Sequence, residues 1–408
     1  RMILAFTLLS RYCSSLSPKM TSSILALDEG CAGLSWRMDQ APSSLADAVS
    51  TTQRRPISKM TTPASETRLP KTLISKLTPT PFLPPDENEG TGLIDIGANL
   101  LDPQFTGFYN GKQRHEPDIE FILERAKSQG VEAVVITCGT LEEARRAQAF
   151  VGRQHGQQPA SGRVDSIPAL YTTVGVHPTH ANDFFGRNGE EDGGTEEASV
   201  ASHVTALDAL VAAPCVVAVG ELGLDFDRLQ FAGKREQRVG FEAQLCLAES
   251  SGKPLFLHSR SCEPEMSSFL KQHRHRFKDG VVHSFDGSLA ELESLLALDL
   301  FVGLNGCSLR TEENLEVVRA LPLERLLLET DAPWCEIKPT HAGFPFVRTV
   351  LPCKKKPDKF VMGEGVKGRS EPWMMRQVLE VVAGVKGVAE DDVSRHAHFN
   401  ARRIFGIS

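Results

Sequence analysis

The sequence predicts a closed (β/α)8 barrel, and three observations carry that expectation. Short apolar runs alternate with amphipathic helical segments eight times between Gly92 and the C-terminus. Four of the runs close on a side chain able to bind a divalent metal: Val216–Glu221, Pro254–His258, Gly280–His283 and Leu326–Asp331. Buried parallel strands read as nearly continuous apolar runs, and parallel α/β folds keep their chemistry at the carboxyl ends of those strands. The rival is an open doubly wound sheet. A Gly-rich turn after the first run would have supported it, and Gly97-Ala98-Asn99-Leu100-Leu101-Asp102-Pro103 is no such fingerprint.

The elements follow in order. Leu93–Ile96 is the first strand. Asp118–Gln129 is a helix, because Ile119, Ile122, Leu123 and Ala126 fall on one face and Gly130 can cap it. Val131–Thr137 is the second strand and Leu141–Val151 a helix. Leu170–Val176 is the third strand, followed by a long loop in which Gly186–Glu197 reads as an acidic, Gly-rich surface insertion. A helix over Val200–Val211 leads to the fourth strand, Val216–Gly220. A helix over Glu236–Ser250 leads to the fifth, beginning at Pro254. A helix over Glu263–Phe277 precedes the sixth, which runs to His283. Ser288–Leu298 is helical, Leu300–Leu304 the seventh strand, Glu312–Leu321 helical and Arg325–Glu329 the eighth strand. Two helices, Trp373–Val385 and Glu390–Phe405, close the chain.

Two domains of unequal character result. Residues 1–90 are Ser/Thr-rich with Pro-rich stretches such as Thr78–Pro85 and no sustained period, which reads as a disordered extension. The apolar stretch Met2–Leu9 between Arg1 and Arg11 could be a signal h-region or part of a transit peptide; the odd cysteine set stands against secretion, and an untargeted extension is as good a reading as a transit peptide. Residues 91–408 form the barrel domain. Nine cysteines without a Cys-x-x-Cys argue for reduced thiols, so cytoplasm or nucleus is the default compartment and mitochondrion the alternative. No apolar run approaches the roughly 18 residues of a membrane helix, so no membrane partner is expected. The net charge of -7 excludes binding of nucleic acid by general electrostatics. A polyanionic partner must be met locally, by a basic patch or bound metal.

Glu221 and Asp331 offer carboxylates, and His258 and His283 imidazoles. Mixed nitrogen and oxygen ligation suits Zn, Mn or Fe and tolerates Mg when water completes the shell. A lone Glu or His at a strand end is usually a satisfied polar group. Four together are hard to explain as packing, since an unpaired buried carboxylate is costly. Two ions about 3.5–4 Å apart could activate a water for phosphoryl displacement. His177, in Val174-Gly175-Val176-His177-Pro178, would reach the same face as a donor to a phosphate or to the reacting water; the bland alternative is a loop histidine capping a helix. Arg260 could grip a phosphate or simply be solvated. Lys354, Lys355 and Lys356, with Lys359, Lys367 and Arg369, form the dense basic stretch of the barrel region. It reads equally as solvated surface and as a nucleic-acid contact. Trp334 and Phe285 are candidates for stacking on bases, with core packing the default for Phe285.

At these residues a resemblance becomes specific. Gly220–Arg228 (GELGLDFDR), Leu257–Arg260 (LHSR), Val282–Gly287 (VHSFDG) and Glu329–Trp334 (ETDAPW) resemble the signatures of TatD-type metal-dependent deoxyribonucleases, in the right order from about Leu93 to Phe405. Asn305–Leu309 and the lysine-rich loop resemble the eukaryotic TatD-domain subgroup. The resemblance implies a TIM barrel of the metal-dependent hydrolase type. It also implies phosphodiester hydrolysis, often 3′–5′ exonucleolytic, of DNA (single-stranded or 3′ ends), with RNA as a further substrate. Two divalent ions are implied, Mg first, with Mn or Zn as alternatives. Carried over by motif, Glu221 bridges both metals, His258 and His283 hold one, and Asp331 holds the other and orients or deprotonates the water. His177 matches the family's His-Pro motif. Many barrel hydrolases of this superfamily carry Asp-x-His-x-His on the first strand. Here Asp95-Ile96-Gly97-Ala98-Asn99 stands instead, which implies one well-held ion and one that substrate helps to hold. Two alternatives remain at this point: hydrolysis of another ester or amide bond by the same machinery, and a catalytically silent binding module. The intact Glu, His, His, Asp set argues against the second.

Overall fold

The computed structural model describes residues 85, 90–156, 166–186, 195–350 and 354–407. The expected disordered extension 1–90 therefore falls almost wholly outside the described residues, as does most of the predicted insertion after the third strand.

Eight strands form one sheet in sequential order, every neighbouring pair parallel. They are β1 (Leu93–Ala98), β2 (Val131–Ile136), β3 (Ala169–Val174), β4 (Val216–Asp225), β5 (Leu255–Arg260), β6 (Gly280–Val282), β7 (Phe301–Leu304) and β8 (Leu326–Leu328). The ends meet: Asn99 N–H donates to Ala332 O at 2.7 Å and Asp331 N–H to Gly97 O at 2.8 Å. The barrel is closed across β1 and the segment leaving β8, as the alternating pattern predicts. The connecting helices are α1 (Ile119–Ser128), α2 (Leu141–Gly156), α3 (Glu196–Val211), α4 (Lys234–Ser251), α5 (Glu265–His273), α6 (Leu289–Ala297) and α7 (Glu312–Ala320), followed by α8 (Met375–Lys386) and α9 (Glu390–Phe405).

Two apolar layers hold this together. The lumen is filled by Ile94, Ile96, Ala133, Val135, Val217, Phe256, Val281, Phe301 and Leu327, which alternate along the strands. Ile404, Phe405 and Ile407, from the end of α9 and just beyond, join that cluster and close the amino-terminal mouth. The larger layer lies between strands and helices. Its residues occupy the 3.6-period positions read from the sequence, among them Ile122, Leu123 and Ala126 of α1.

Some boundaries differ from the sequence reading. Glu221 and His258 lie inside strands, because β4 and β5 keep pairing from Val219–Leu255 to Asp225–Arg260 with a register shift between Gly220 and Leu222. Polar side chains at a barrel's open end do not stop the backbone ladder, so the apolar runs end before the strands do. The Glu263–Phe277 segment is a shorter helix, Glu265–His273, followed by a 3-10 turn at Arg274–Arg276.

The loops after β1 and β8 are tied by a buried ion network. Arg369, fully buried, donates to both Asp118 oxygens at 2.9 and 2.5 Å and to Glu371 at 2.9 Å. Arg125 donates to the other Glu371 oxygen at 3.0 and 2.8 Å. Buried guanidinium and carboxylate groups pair here, with Arg369 Nε alone left without a partner in the network, which fixes the part of the rim that carries the lysine-rich segment.

Candidate metal centre

Three imidazoles converge on one carboxylate oxygen. Glu221 Oε1 lies 2.7 Å from His258 Nδ1, 2.7 Å from His283 Nε2 and 3.4 Å from His177 Nε2. Local backbone chemistry places Glu221 there. The preceding Gly220 has φ +152°, and a Cβ on it would stand 2.3 Å from the Phe256 carbonyl oxygen. Only glycine lets β4 lie that close to β5.

Each of the two buried imidazoles is suspended between two carboxylates. His258 Nε2 faces Asp225 Oδ2 at 3.3 Å, and His283 Nδ1 faces Glu329 Oε2 at 3.5 Å. Neither contact has hydrogen-bond geometry, and all four atoms are buried without a hydrogen-bond partner. Burial opposes charge on His283, yet Glu221 and Glu329 outweigh it and hold its imidazole well above the usual histidine range. His258 is raised too, Asp225 and Glu221 overcoming its burial. Burial likewise opposes charge on Glu221, but His283 and His177 hold its carboxyl well below the usual range. A compact group of buried acceptors whose charges are balanced only by protons is a donor set suited to a divalent cation.

His177 differs from the other two. It caps the 3-10 helix Pro178–Phe185, so the capping and the site readings both hold. Its Nδ1 accepts from the Thr179 N–H at 3.1 Å. In the neutral ring the hydrogen then sits on Nε2, which faces Glu221. Burial pushes its pKa down to about 3, against the pull of Glu221. His177, Glu221 and His258 offer atoms within 4.8 Å of one another, as metal ligands would. The Thr179 bond nevertheless makes His177 Nε2 a donor rather than a ligand.

Asp331 stands beside this cluster, in contact with other partners. Its Oδ1 accepts from Asn99 Nδ2 at 2.9 Å and its Oδ2 from the Cys335 thiol at 3.3 Å. Burial pushes its pKa up to about 6, with His283 pulling down and Glu329 and Glu221 adding to the rise. Asn99, one of the two residues standing where strand-one histidines would be, thus orients this carboxylate. The other, Gly97, leaves room: a Cβ would lie 2.6 Å from Glu329 Oε2 and 3.1 Å from Phe256.

Sequence reasoning left several residues without a role. Asp225, two residues beyond Gly223 in β4, faces His258. Glu329, fully buried, accepts from the Ser284 N–H and from Asn305 Nδ2. Asp95 accepts from Thr330 N–H at 2.9 Å and Thr330 Oγ1 at 2.5 Å, holding the residue before Asp331. Asp225 and Glu329 were already inside the quoted motifs; a second carboxylate facing each histidine was the signal available.

The remaining candidates lie farther out. Arg260 is half-exposed, with Nη1 3.7 Å from Asp225 Oδ2. Lys354–Lys355 pair as a short strand with Gly365–Val366. The neighbouring Asp358 bonds Arg114 at 2.7 Å, and Phe360 stacks on His115 at 4.1 Å, so this segment rests on the loop after β1. Trp334 is 52% exposed, whereas Phe285 is 6% exposed and packs in the core, which removes it as a stacking platform.

A closed parallel barrel with a buried carboxylate–imidazole cluster at the carboxyl ends of its strands is the architecture of barrel hydrolases, and the cluster could hold a divalent metal. The family described as TatD related DNase matches residues 94–406, and the chain belongs to that family. It is 41% identical over 316 residues to the protein named Deoxyribonuclease Tat-D of Schizosaccharomyces pombe, covering 75% of this chain and 93% of that protein. It is 31% identical to the 3'-5' ssDNA/RNA exonuclease TatD of Erwinia tasmaniensis, over 77% of this chain and all of that one. The crystal structure of a TatD family hydrolase from Entamoeba histolytica superposes with a TM-score of 0.68 at 30% identity, covering 78% of this chain and 99% of that one.

Proposed function

We propose that this protein is a divalent-metal-dependent nuclease that hydrolyses phosphodiester bonds of DNA, as a 3′–5′ exonuclease on single strands or 3′ ends, with RNA as a further substrate. One observation carries the reading: His258 and His283 are each held between two buried carboxylates, with the far atom of every pair left without a hydrogen bond. The family membership and the names of the relatives supply the substrate class.

In this reading Glu221, His258, His283 and Asp331 hold two divalent ions, Mg first, with Mn or Zn as alternatives. When bound, the ions supply Lewis-acid stabilisation and a more acidic water. His258 and His283 must surrender protons on loading, so metal affinity rises with pH. Asp331, with its pKa near 6 and one oxygen held by Asn99, is poised to accept the proton of the attacking water. His177 stays neutral and presents Nε2–H to a non-bridging phosphate oxygen. Arg260 and the Lys354–Lys355 segment meet the phosphate backbone, which supplies local positive charge on an acidic protein. The odd, dispersed set of cysteines favours a reducing compartment, cytoplasm or nucleus.

The test compares wild type with Glu221→Ala on 3′-labelled single-stranded DNA, on RNA and on a phosphomonoester, with Mg and then with EDTA. DNA cleavage that needs metal and falls at least about a thousandfold in the variant is expected. Unchanged cleavage in the variant overturns the assignment.

A further inference from the structure

Two cysteines from different rim loops meet next to Asp331. Cys307 lies in the 3-10 turn Gly306–Leu309 after β7, and Cys335 four residues past Asp331. Their sulfurs are 2.7 Å apart, and both residues are half-buried free thiols. A disulfide bond measures about 2.05 Å, so the pair needs only a small further approach. The backbones are in register for it: a Cβ on Gly306 would stand 1.9 Å from the Cys335 carbonyl oxygen, so the two loops already touch. Arg310 donates to Cys307 Sγ at 3.0 Å, which favours its thiolate. Cys335 in turn donates its hydrogen to Asp331 Oδ2.

We propose that Cys307 and Cys335 are an oxidation site: peroxide converts them to a disulfide that loosens Asp331 and weakens its hold on a divalent metal. The balance is complete. The Cys307 thiolate attacks one peroxide oxygen and breaks the O–O bond, becoming a sulfenic acid; the leaving hydroxide takes up the proton that Cys307 released on ionising and departs as water. Cys335 sulfur then attacks the Cys307 sulfur, the S–O bond breaks, and the oxygen leaves with the Cys335 proton as a second water. Two thiols and one hydrogen peroxide give one disulfide and two waters. A dithiol reductant reverses the change.

The consequence for the site follows from the hydrogen that is lost. Among the described residues, reduced Cys335 is one of two side-chain donors to Asp331; the other is Asn99. The disulfide has no proton to give, and its sulfur is drawn toward Cys307, so Asp331 keeps Asn99 alone. Removing an orienting partner of a metal-binding carboxylate costs about 10- to 100-fold in affinity. The coupling rests on Asp331 being a metal ligand, as proposed above.

The experiment uses the full chain, hydrogen peroxide and Mn2+ as the metal probe, with free Mn2+ read by electron paramagnetic resonance. Peptide mapping without reductant should find the Cys307 and Cys335 peptides joined, and dithiothreitol should release them. Oxidised wild type should bind Mn2+ about tenfold more weakly, recovering on reduction. Cys307→Ser should bind Mn2+ as reduced wild type does and ignore peroxide. Absence of the joined peptides overturns the proposal. Joined peptides with unchanged Mn2+ affinity overturn the coupling. If Asp331→Ala binds Mn2+ as wild type does, the ligand assignment falls instead, and the coupling with it.

Discussion

Replacing Asp95 with asparagine should leave the protein no less stable near pH 5 and markedly more stable at pH 8. Asp95 is fully buried in β1, and burial, opposed by its bonds to Thr330, pushes its pKa from the usual 3.8 to about 8. In the folded state the group therefore keeps a proton that the unfolded chain has lost. Between pH 4 and 8 the native state binds more protons than the unfolded one, so stability falls as pH rises through that window. At about 1.4 kcal/mol per pH unit the whole interval amounts to about 6 kcal/mol, and the span from pH 5 to 8 to about 4 kcal/mol. Asparagine resembles the protonated acid. Its oxygen can accept from the Thr330 and Gly97 N–H groups, as Asp95 Oδ1 does, and its amide can donate to Thr330 Oγ1, which faces Asp95 Oδ2. Urea unfolding in EDTA at pH 5, 6, 7 and 8 measures the outcome, with EDTA removing any contribution from bound cations. The difference between variant and wild type should widen with pH by more than about 2 kcal/mol. A difference that stays constant, or a variant unstable at pH 5, would show that Asp95 is ionised and that its charge supports Thr330.

Other perturbations test the neighbouring claims. Gly97→Ala pushes a methyl against the buried Glu329 carboxylate, so it should destabilise by about 1–3 kcal/mol and raise the metal concentration needed for half-maximal DNA cleavage; wild-type values for both would mean Glu329 can move aside. Arg369→Met strips the buried Asp118 carboxylate of its guanidinium and leaves Glu371 with Arg125 alone, and should cost about 3–5 kcal/mol in a denaturant titration, with a loss below 1 kcal/mol contradicting the network's role. Changing Lys354, Lys355 and Lys356 together to Gln should raise KM for DNA and flatten its dependence on salt, with kcat little changed. An unaltered salt slope would leave the segment as ordinary surface.

Much of this was readable before any coordinates, because the relevant signals are periodic or local. Apolar runs and 3.6-period helices gave all eight strands and the connecting helices within a few residues. Glu221, His258 and His283 could be grouped because each interrupts an apolar run, a local anomaly. What escaped was pairing across strands. Nothing adjacent in the chain links Asp225 to His258, Glu329 to His283 or Asn99 to Asp331; barrel closure and strand stagger create those contacts. Strand ends were misjudged for a related reason: hydrophobicity reports where the lumen becomes polar, whereas backbone pairing of β4 with β5 continues past that point to Arg260. The tautomer of His177 depends on a backbone N–H two residues away, and no spacing rule specifies it.

The closing seam between β1 and the segment after β8 has a kinetic consequence. Asn99 and Asp331 are 232 residues apart in sequence, Asp95 and Thr330 235, and Asp118 and Arg369 251. These are among the longest chain separations the fold must join, and loop-closure entropy is met before such contacts return any energy. A nascent or partly folded chain can assemble Glu221, His258 and His283 from consecutive strands, yet it lacks an oriented Asp331 until its two ends find each other. If Asp331 acts as proposed, closure of the ring is a condition for a competent site, and a chain whose ends have not yet met should have no hydrolytic activity.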